Sequence, residues 1–194
     1  MISIVNVSES WGIGKNGDLL IKIPEDMKFF RETTRGKVII VGLNTLKSFP
    51  GCRPLKGRVN IVLAETREMI PEESIAASDL FLPEPERYAE ALSLYGTGKT
   101  VLLLCTSLSE VLEAAGLFPP AEVFVCGGAS VYRLLLPYCE EALITKNNCP
   151  DEPDTWYPDL DASGEWQCVD EGTAQICGDI VFRFTRYCRK QAEK

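Results

Sequence analysis

Apolar residues in this chain fall in short runs separated by polar, glycine- or proline-bearing segments. Val38-Ile39-Ile40-Val41 and Val123-Phe124-Val125 are continuous and mostly β-branched, the pattern of strands buried on both faces. Strand-like segments fall near 2–7, 37–42, 58–63, 78–82, 100–105, 122–126, 140–145, 165–171 and 179–188. Helix-like segments fall near 24–34, 43–49, 84–95, 107–116 and 129–137. Strands alternating with helices predict an α/β fold: one mostly parallel twisted sheet of about eight strands with helices on both faces. The last two strand-like segments have only a polar turn between them, from Gly172 to Gly178, which predicts a C-terminal antiparallel hairpin. No internal repeat or low-complexity linker interrupts the pattern, so residues 1–194 read as a single domain. The stretches from Ile70 to Ser74 and from Cys149 to Asp161 read as surface connections. The stretch from Pro83 to Ala121 reads as holding extra surface helix.

Composition narrows the chemistry. The net charge is −8, from 20 Lys+Arg against 28 Asp+Glu, which argues against a nucleic-acid partner. There is no run of eighteen apolar residues and no basic-apolar-small leader, so neither a membrane span nor a secretory signal is expected. The chain has eight cysteines and no histidine, and none of the cysteines form Cys-x-x-Cys. No metal site is expected, and reduced thiols in a cytoplasm are the better reading. Without histidine, a general acid must be a carboxylate, Tyr, Lys, Cys or bound water.

The densest chemical signal lies early. Gly12-Ile13-Gly14-Lys15-Asn16-Gly17-Asp18-Leu19 predicts a mobile loop, leading into a helix that begins at Pro24. Asp26 and Phe30 lie four apart and share a face of that helix. A carboxylate on an apolar face either reaches solvent or binds something. The segment alone also allows a plainer role, favouring the positive end of a helix opened by Pro24.

Further blocks follow in register. They are Val38 to Phe49, Arg53-Pro54-Leu55-Lys56-Gly57-Arg58 to Leu63, Val123 to Tyr132 around Gly127-Gly128, Leu143-Ile144-Thr145, and Asp154 to Pro158. In this order and spacing, from Met1 to about Arg186, the chain resembles dihydrofolate reductase. The resemblance implies reduction of 7,8-dihydrofolate by hydride transfer from NADPH. Asp26 then anchors the pterin's amidine-like edge through two oxygens, supported by Thr145. Val5, Leu19, Met27, Phe30, Phe49 and Leu55 become apolar walls of the substrate pocket, and Arg58 the clamp on the glutamate tail. For the cofactor it implies Asn6, Ile13, Gly14, Gly42, Leu43, Thr45 and Leu63. It adds the turn Cys126-Gly127-Gly128-Ala129-Ser130-Val131 with Tyr132 beside the nicotinamide. Glycines there let the backbone approach the pyrophosphate. A cytoplasmic monomer is the family expectation.

Three departures stand out. Ile21 occupies the position of a usual tryptophan that holds a water near the substrate. Leu43, Glu65 and Ser130 stand where basic or hydroxyl residues usually meet the cofactor's 2′-phosphate. That disfavours a phosphate and leaves NADH use open, with Arg67, Arg53 or Lys47 as candidates to compensate. Asn6, Val7 and Ala129 replace small residues or glycine. Two other readings stay open: a catalytically weak folate- or nucleotide-binding paralogue, and a pyrimidine reductase of riboflavin synthesis.

Overall fold

The structure, a computed structural model, describes residues 1–150 and 152–190. Its strands are β1 (Ile2–Ser8), β2 (Gly12–Lys15), β3 (Asp18–Leu19), β4 (Val38–Gly42), β5 (Val59–Leu63), β6 (Leu80–Leu82), β7 (Val101–Cys105), β8 (Val123–Val125), β9 (Glu141–Asn147), β10 (Thr155–Trp156), β11 (Trp166–Glu171), β12 (Gln175–Cys177) and β13 (Ile180–Arg189). Its α-helices are α1 (Pro24–Thr34), α2 (Leu43–Ser48), α3 (Glu72–Ala76), α4 (Leu108–Gly116) and α5 (Ala129–Leu135).

One ten-stranded sheet runs in the order β11-β13-β9-β1-β8-β4-β5-β7-β6, with β12 paired to β13. From β9 to β6 every pairing is parallel, and β13 adds antiparallel pairings to both β9 and β11. The expected α/β architecture with its C-terminal antiparallel hairpin is therefore present. The continuous apolar runs are fully withdrawn from solvent because successive side chains point to opposite faces. Val38 and Ile40 enter one core, with Val111 of α4 and Leu135 of α5. Ile39 and Val41 enter the other, with Leu46 of α2 and, at its margin, Phe30 of α1. Burying each such side chain contributes roughly 1.5–3 kcal/mol.

Several boundaries differ from expectation. The stretch near 84–95 is a 3₁₀ helix, Pro85–Ser93, opened by Pro85 and closed well before Gly96. The expected loop at Ile70 to Ser74 contains the start of α3, whose Ser74 hydroxyl donates to the Cys52 carbonyl. The glycine-rich run at 12–19 is a β-hairpin. Asn16 and Gly17 have φ of 53° and 81°, and Lys15 pairs with Asp18 across them. Asn-Gly suits the mirror-image turn of a two-residue hairpin, because both residues tolerate positive φ. Thr155 and Trp156 of β10 pair with β2, making a second, three-stranded sheet. No helix among the described residues is long and apolar enough to cross a membrane.

Candidate active site

The carboxyl ends of β4, β5, β7 and β8 open, together with β1, on a cleft of about 1420 Å³. Ligands bind at such ends in parallel sheets. The volume exceeds the roughly 300–1,000 Å³ of a site for one small molecule. Its near wall is α1, presenting Asp26, Met27, Phe30 and Arg31. Phe49 and Leu55 close the same end, while Ile13, Gly14 and Leu19 of the hairpin lie over it. Val5 and Asn6 of β1 line it with Ile21.

Asp26 sits in the first turn of α1, where Pro24 begins the helix and no side chain caps it. Its hydrogen bonds leave the helix. Thr145 Oγ1 of β9 donates to Asp26 Oδ1 at 2.6 Å, and Asn6 Nδ2 of β1 donates to Oδ2 at 3.1 Å. Thr145 and Asn6 face one another in the β1–β9 register. Burial pushes the Asp26 carboxyl above its ordinary range, and the bonds from Thr145 and Asn6 oppose that rise. Thr145 itself is buried behind Asp26 and is 2% exposed; it reaches the cleft only through the carboxylate.

Arg58 is buried, which lowers its pKa from the ordinary guanidinium value. Nε donates to Thr34 Oγ1 at 3.0 Å, Nη1 to the Lys56 carbonyl at 2.9 Å, and Nη2 to the Arg31 carbonyl at 3.0 Å. Those bonds use three of a guanidinium's five donors, leaving two for a ligand at the cleft surface. Among the described residues, the only basic side chains lining the cleft are Lys22, Arg31 and Arg58. Lys22 pairs with Asp18 at 2.7 Å.

The far end of the cleft is different. Gly42, Leu43, Thr45, Leu63 and Ser130 line it, together with Ala64, Glu65 and Thr106. None of these is cationic. Arg67, a candidate to compensate, lies 3.8 Å from Glu84 and has its guanidinium over the Phe81 ring.

Between the two ends, Cys126, Gly128, Ala129, Val131 and Tyr132 line the floor. Gly127 is buried in the turn behind them and its carbonyl accepts from the Gly42 N–H at 2.7 Å. A Cβ on Gly127 would lie 2.7 Å from the Tyr132 ring, and one on Gly128 would lie 3.3 Å from Thr45 Oγ1. The turn is therefore shaped for glycine twice, once against the core and once facing the cleft. The Tyr132 hydroxyl donates to the Ile4 carbonyl at 2.8 Å, so the ring, not the hydroxyl, faces the floor.

Of the residues expected from the sequence, the fold brings all to the cleft except Thr145 and Gly127, which support it from behind. Sequence reasoning missed Arg31, one helical turn after Met27. That i, i+4 spacing was the available signal. Asn147 was also missed. It donates to Asn6 Oδ1 at 2.6 Å, and nothing local in the sequence marks that pairing.

The comparisons agree with this geometry. The family model described as dihydrofolate reductase matches residues 1–189. Dihydrofolate reductase of Bacillus subtilis is 29% identical over 184 residues, 94% of this chain and 90% of that protein. That of Mycobacterium tuberculosis is 31% identical over 164 residues, 80% of this chain and 81% of that protein. The chain spans only 33% of the bifunctional dihydrofolate reductase-thymidylate synthase of Glycine max, at 29% identity. Among solved structures, the Enterococcus faecalis dihydrofolate reductase complexed with NADP(H) and RAB-propyl matches with a TM-score of 0.69 and 25% identity, over 98% of this chain and 96% of that one. The chain belongs to the dihydrofolate reductase family.

Proposed function

We propose that this chain reduces 7,8-dihydrofolate to 5,6,7,8-tetrahydrofolate with NADPH as the reductant. The observation that carries the reading is the set of donors to Asp26. An ionised carboxylate offers about four lone-pair positions, and Thr145 and Asn6 take one on each oxygen. One position per oxygen then remains for a ligand edge carrying two parallel N–H groups, as a pterin does.

The residues present fit a dinucleotide. The cleft is large enough for two ligands side by side, and Gly128 leaves space that any side chain would fill toward Thr45. When bound, NADPH supplies the hydride that C6 of dihydrofolate receives. Asp26 fixes the pterin and raises the basicity of its N5, and water delivers the proton. Met27, Phe30, Phe49 and Leu55 exclude bulk water and hold the aminobenzoyl ring, and Leu19 closes over them from the hairpin. Arg58 takes the tail's α-carboxylate with its two remaining donors, and Arg31 adds positive charge beside it. The turn from Cys126 to Tyr132, with Gly42 and Thr45, receives the nicotinamide and the phosphates.

A monomer in a reducing cytoplasm suits the reading. Eight free thiols fit such a compartment, and a net charge of −8 gives nucleic acid no attraction. The riboflavin-pathway alternative has no observation in its favour, and the cation-free far end that suits a weak paralogue bears on the cofactor and not on the donors to Asp26. Purified protein should oxidise NADPH only when dihydrofolate is present. The Asp26→Asn variant should lose about 10²-fold or more in turnover, the cost of a substrate no longer held in its reacting position. Full activity at neutral pH in that variant would remove Asp26 from the mechanism.

A further inference from the structure

Asn6 is unusual company for an active-site carboxylate, and its surroundings fix what it can do there. Amide side chains can be turned end for end, so their direction must come from partners of known polarity. Here those partners are main-chain groups. The Cys149 N–H donates to Asn147 Oδ1 at 2.8 Å, so that atom is the acceptor. Asn147 Nδ2 donates to the Val7 carbonyl at 2.9 Å. Its second hydrogen goes to Asn6 Oδ1 at 2.6 Å. Only Nδ2 of Asn6 is then left to meet Asp26 Oδ2, at 3.1 Å.

From this chain of bonds we infer that Asn6 is a positioning residue, held by Asn147 and the main chain of Val7 and Cys149 as a hydrogen-bond donor to Asp26, so that the carboxylate presents its acceptor form to the substrate. The inference rests on the proposed reductase reading for its consequence in turnover, but not for the bonding itself. A protonated Asp26 has a hydroxyl to place. Asn6 cannot turn its carbonyl toward that hydroxyl without losing Asn147. The relay therefore opposes the effect of burial on the same group.

Thr145 donates to the other oxygen, but its hydroxyl can rotate to accept from a protonated carboxyl; the remaining groups facing Asp26 do not supply this control. On the floor, Tyr132 and Cys126 are neutral, both pushed upward by burial. On α1, Glu25 is exposed, and Arg31 lies a turn away with its carbonyl bonded to Arg58. Arg58 itself is committed to Thr34 and Lys56. Lys22 and Asp18 of the hairpin region pair with each other, and Lys146 of β9 turns to Asp161 at 2.6 Å.

The test is a carbon NMR titration of the Asp26 carboxyl in protein labelled at aspartate, without substrate. It compares wild type with Asn6→Leu, which keeps the branched outline and removes the donor, and with Asn147→Ala, which touches neither Asp26 nor the cleft. A hydrogen bond to a charged group is worth about 1.5–3 kcal/mol, so Asn6→Leu should raise the midpoint by about 1–2 pH units. Asn147→Ala should raise it by less, in the same direction, because Asn6 is then free to turn. In turnover, the ionised carboxylate is the form that takes the pterin edge, so both variants should move the loss of activity at acid pH to higher pH. An unchanged midpoint in Asn6→Leu overturns the donor role. An unchanged midpoint in Asn147→Ala overturns the relay, and is readable even when Asn6→Leu does not fold. A shifted midpoint with no dihydrofolate reduction in wild type would keep the relay and reject the reductase.

Discussion

At the scale of single residues, Asp26 is a group the fold would be more stable without. Its folded-state pKa is raised, chiefly by burial. The folded protein therefore holds this proton more tightly than the unfolded chain does. Below the ordinary carboxylate range both states carry the proton and nothing is lost. As pH rises through the raised value, the folded state must ionise a half-buried group, and stability falls. Asp26→Asn should therefore melt at a higher temperature than wild type at pH above the raised value, with the gap closing toward acid, even as turnover collapses. Melting curves across pH check this; a variant that melts lower at alkaline pH would mean the carboxylate stabilises the fold. Asp26 was legible in the sequence because its apolar neighbours sit in the same helix. Asn6 was legible only as a departure on β1, since its partners Asp26 and Asn147 lie 20 and 141 residues away.

At the scale of elements, the β8–α5 junction has least freedom to vary. Gly127 combines a φ of 103° with a Tyr132 ring atom 2.7 Å from any added Cβ. Gly127→Ala should cost about 1–3 kcal/mol from backbone conformation alone and should weaken NADPH binding by displacing the ring beneath it. Denaturant unfolding and cofactor titration measure both, and an unchanged unfolding midpoint would show that the ring simply yields. The strand–Gly-Gly–helix pattern was readable because glycine and apolar runs are local signals. The hairpin of β2 and β3 stands where a mobile loop is expected: Asn16-Gly17 is a hairpin signal, but Gly12 and Gly14 just before it read as flexibility. The ends of β4, β5 and β7 carry a different lesson. Leu43, Glu65 and Thr106 line the cleft there with no Lys or Arg beside them. A 2′-phosphate gains no ion pair from this wall, so NADPH should be preferred over NADH only narrowly. Their kcat/KM values, measured in parallel, should lie within about tenfold, that is about 1.4 kcal/mol. A preference of a thousandfold would show that a cation such as Arg67 leaves Glu84 on binding.

At the scale of the molecule, an acidic chain is asked to bind two anions. The cleft offers them Arg31 and Arg58, with Lys22 already paired to Asp18, while glycine turns and strand ends line the rest. The alternation of strands and helices made the parallel sheet legible from Val38-Ile39-Ile40-Val41 and its counterparts, since strands buried on both faces must be continuously apolar. What it did not reveal is the exchange at the C-terminal edge. β13 inserts between β9 and β11, a pairing set by long-range register and not by any local pattern. That edge holds β9, and with it Thr145 and Asn147, against β1. In the proposed reaction this cleft delivers hydride to one carbon of a pterin fixed by Asp26. The most direct measurement supplies NADPH deuterated at the transferring position of C4, with dihydrofolate, and locates the label in the product by mass spectrometry and NMR. The expected product is tetrahydrofolate carrying one deuterium at C6, formed by wild type and nearly absent with Asp26→Asn. Deuterium elsewhere, or reduced-cofactor oxidation without tetrahydrofolate, would contradict it.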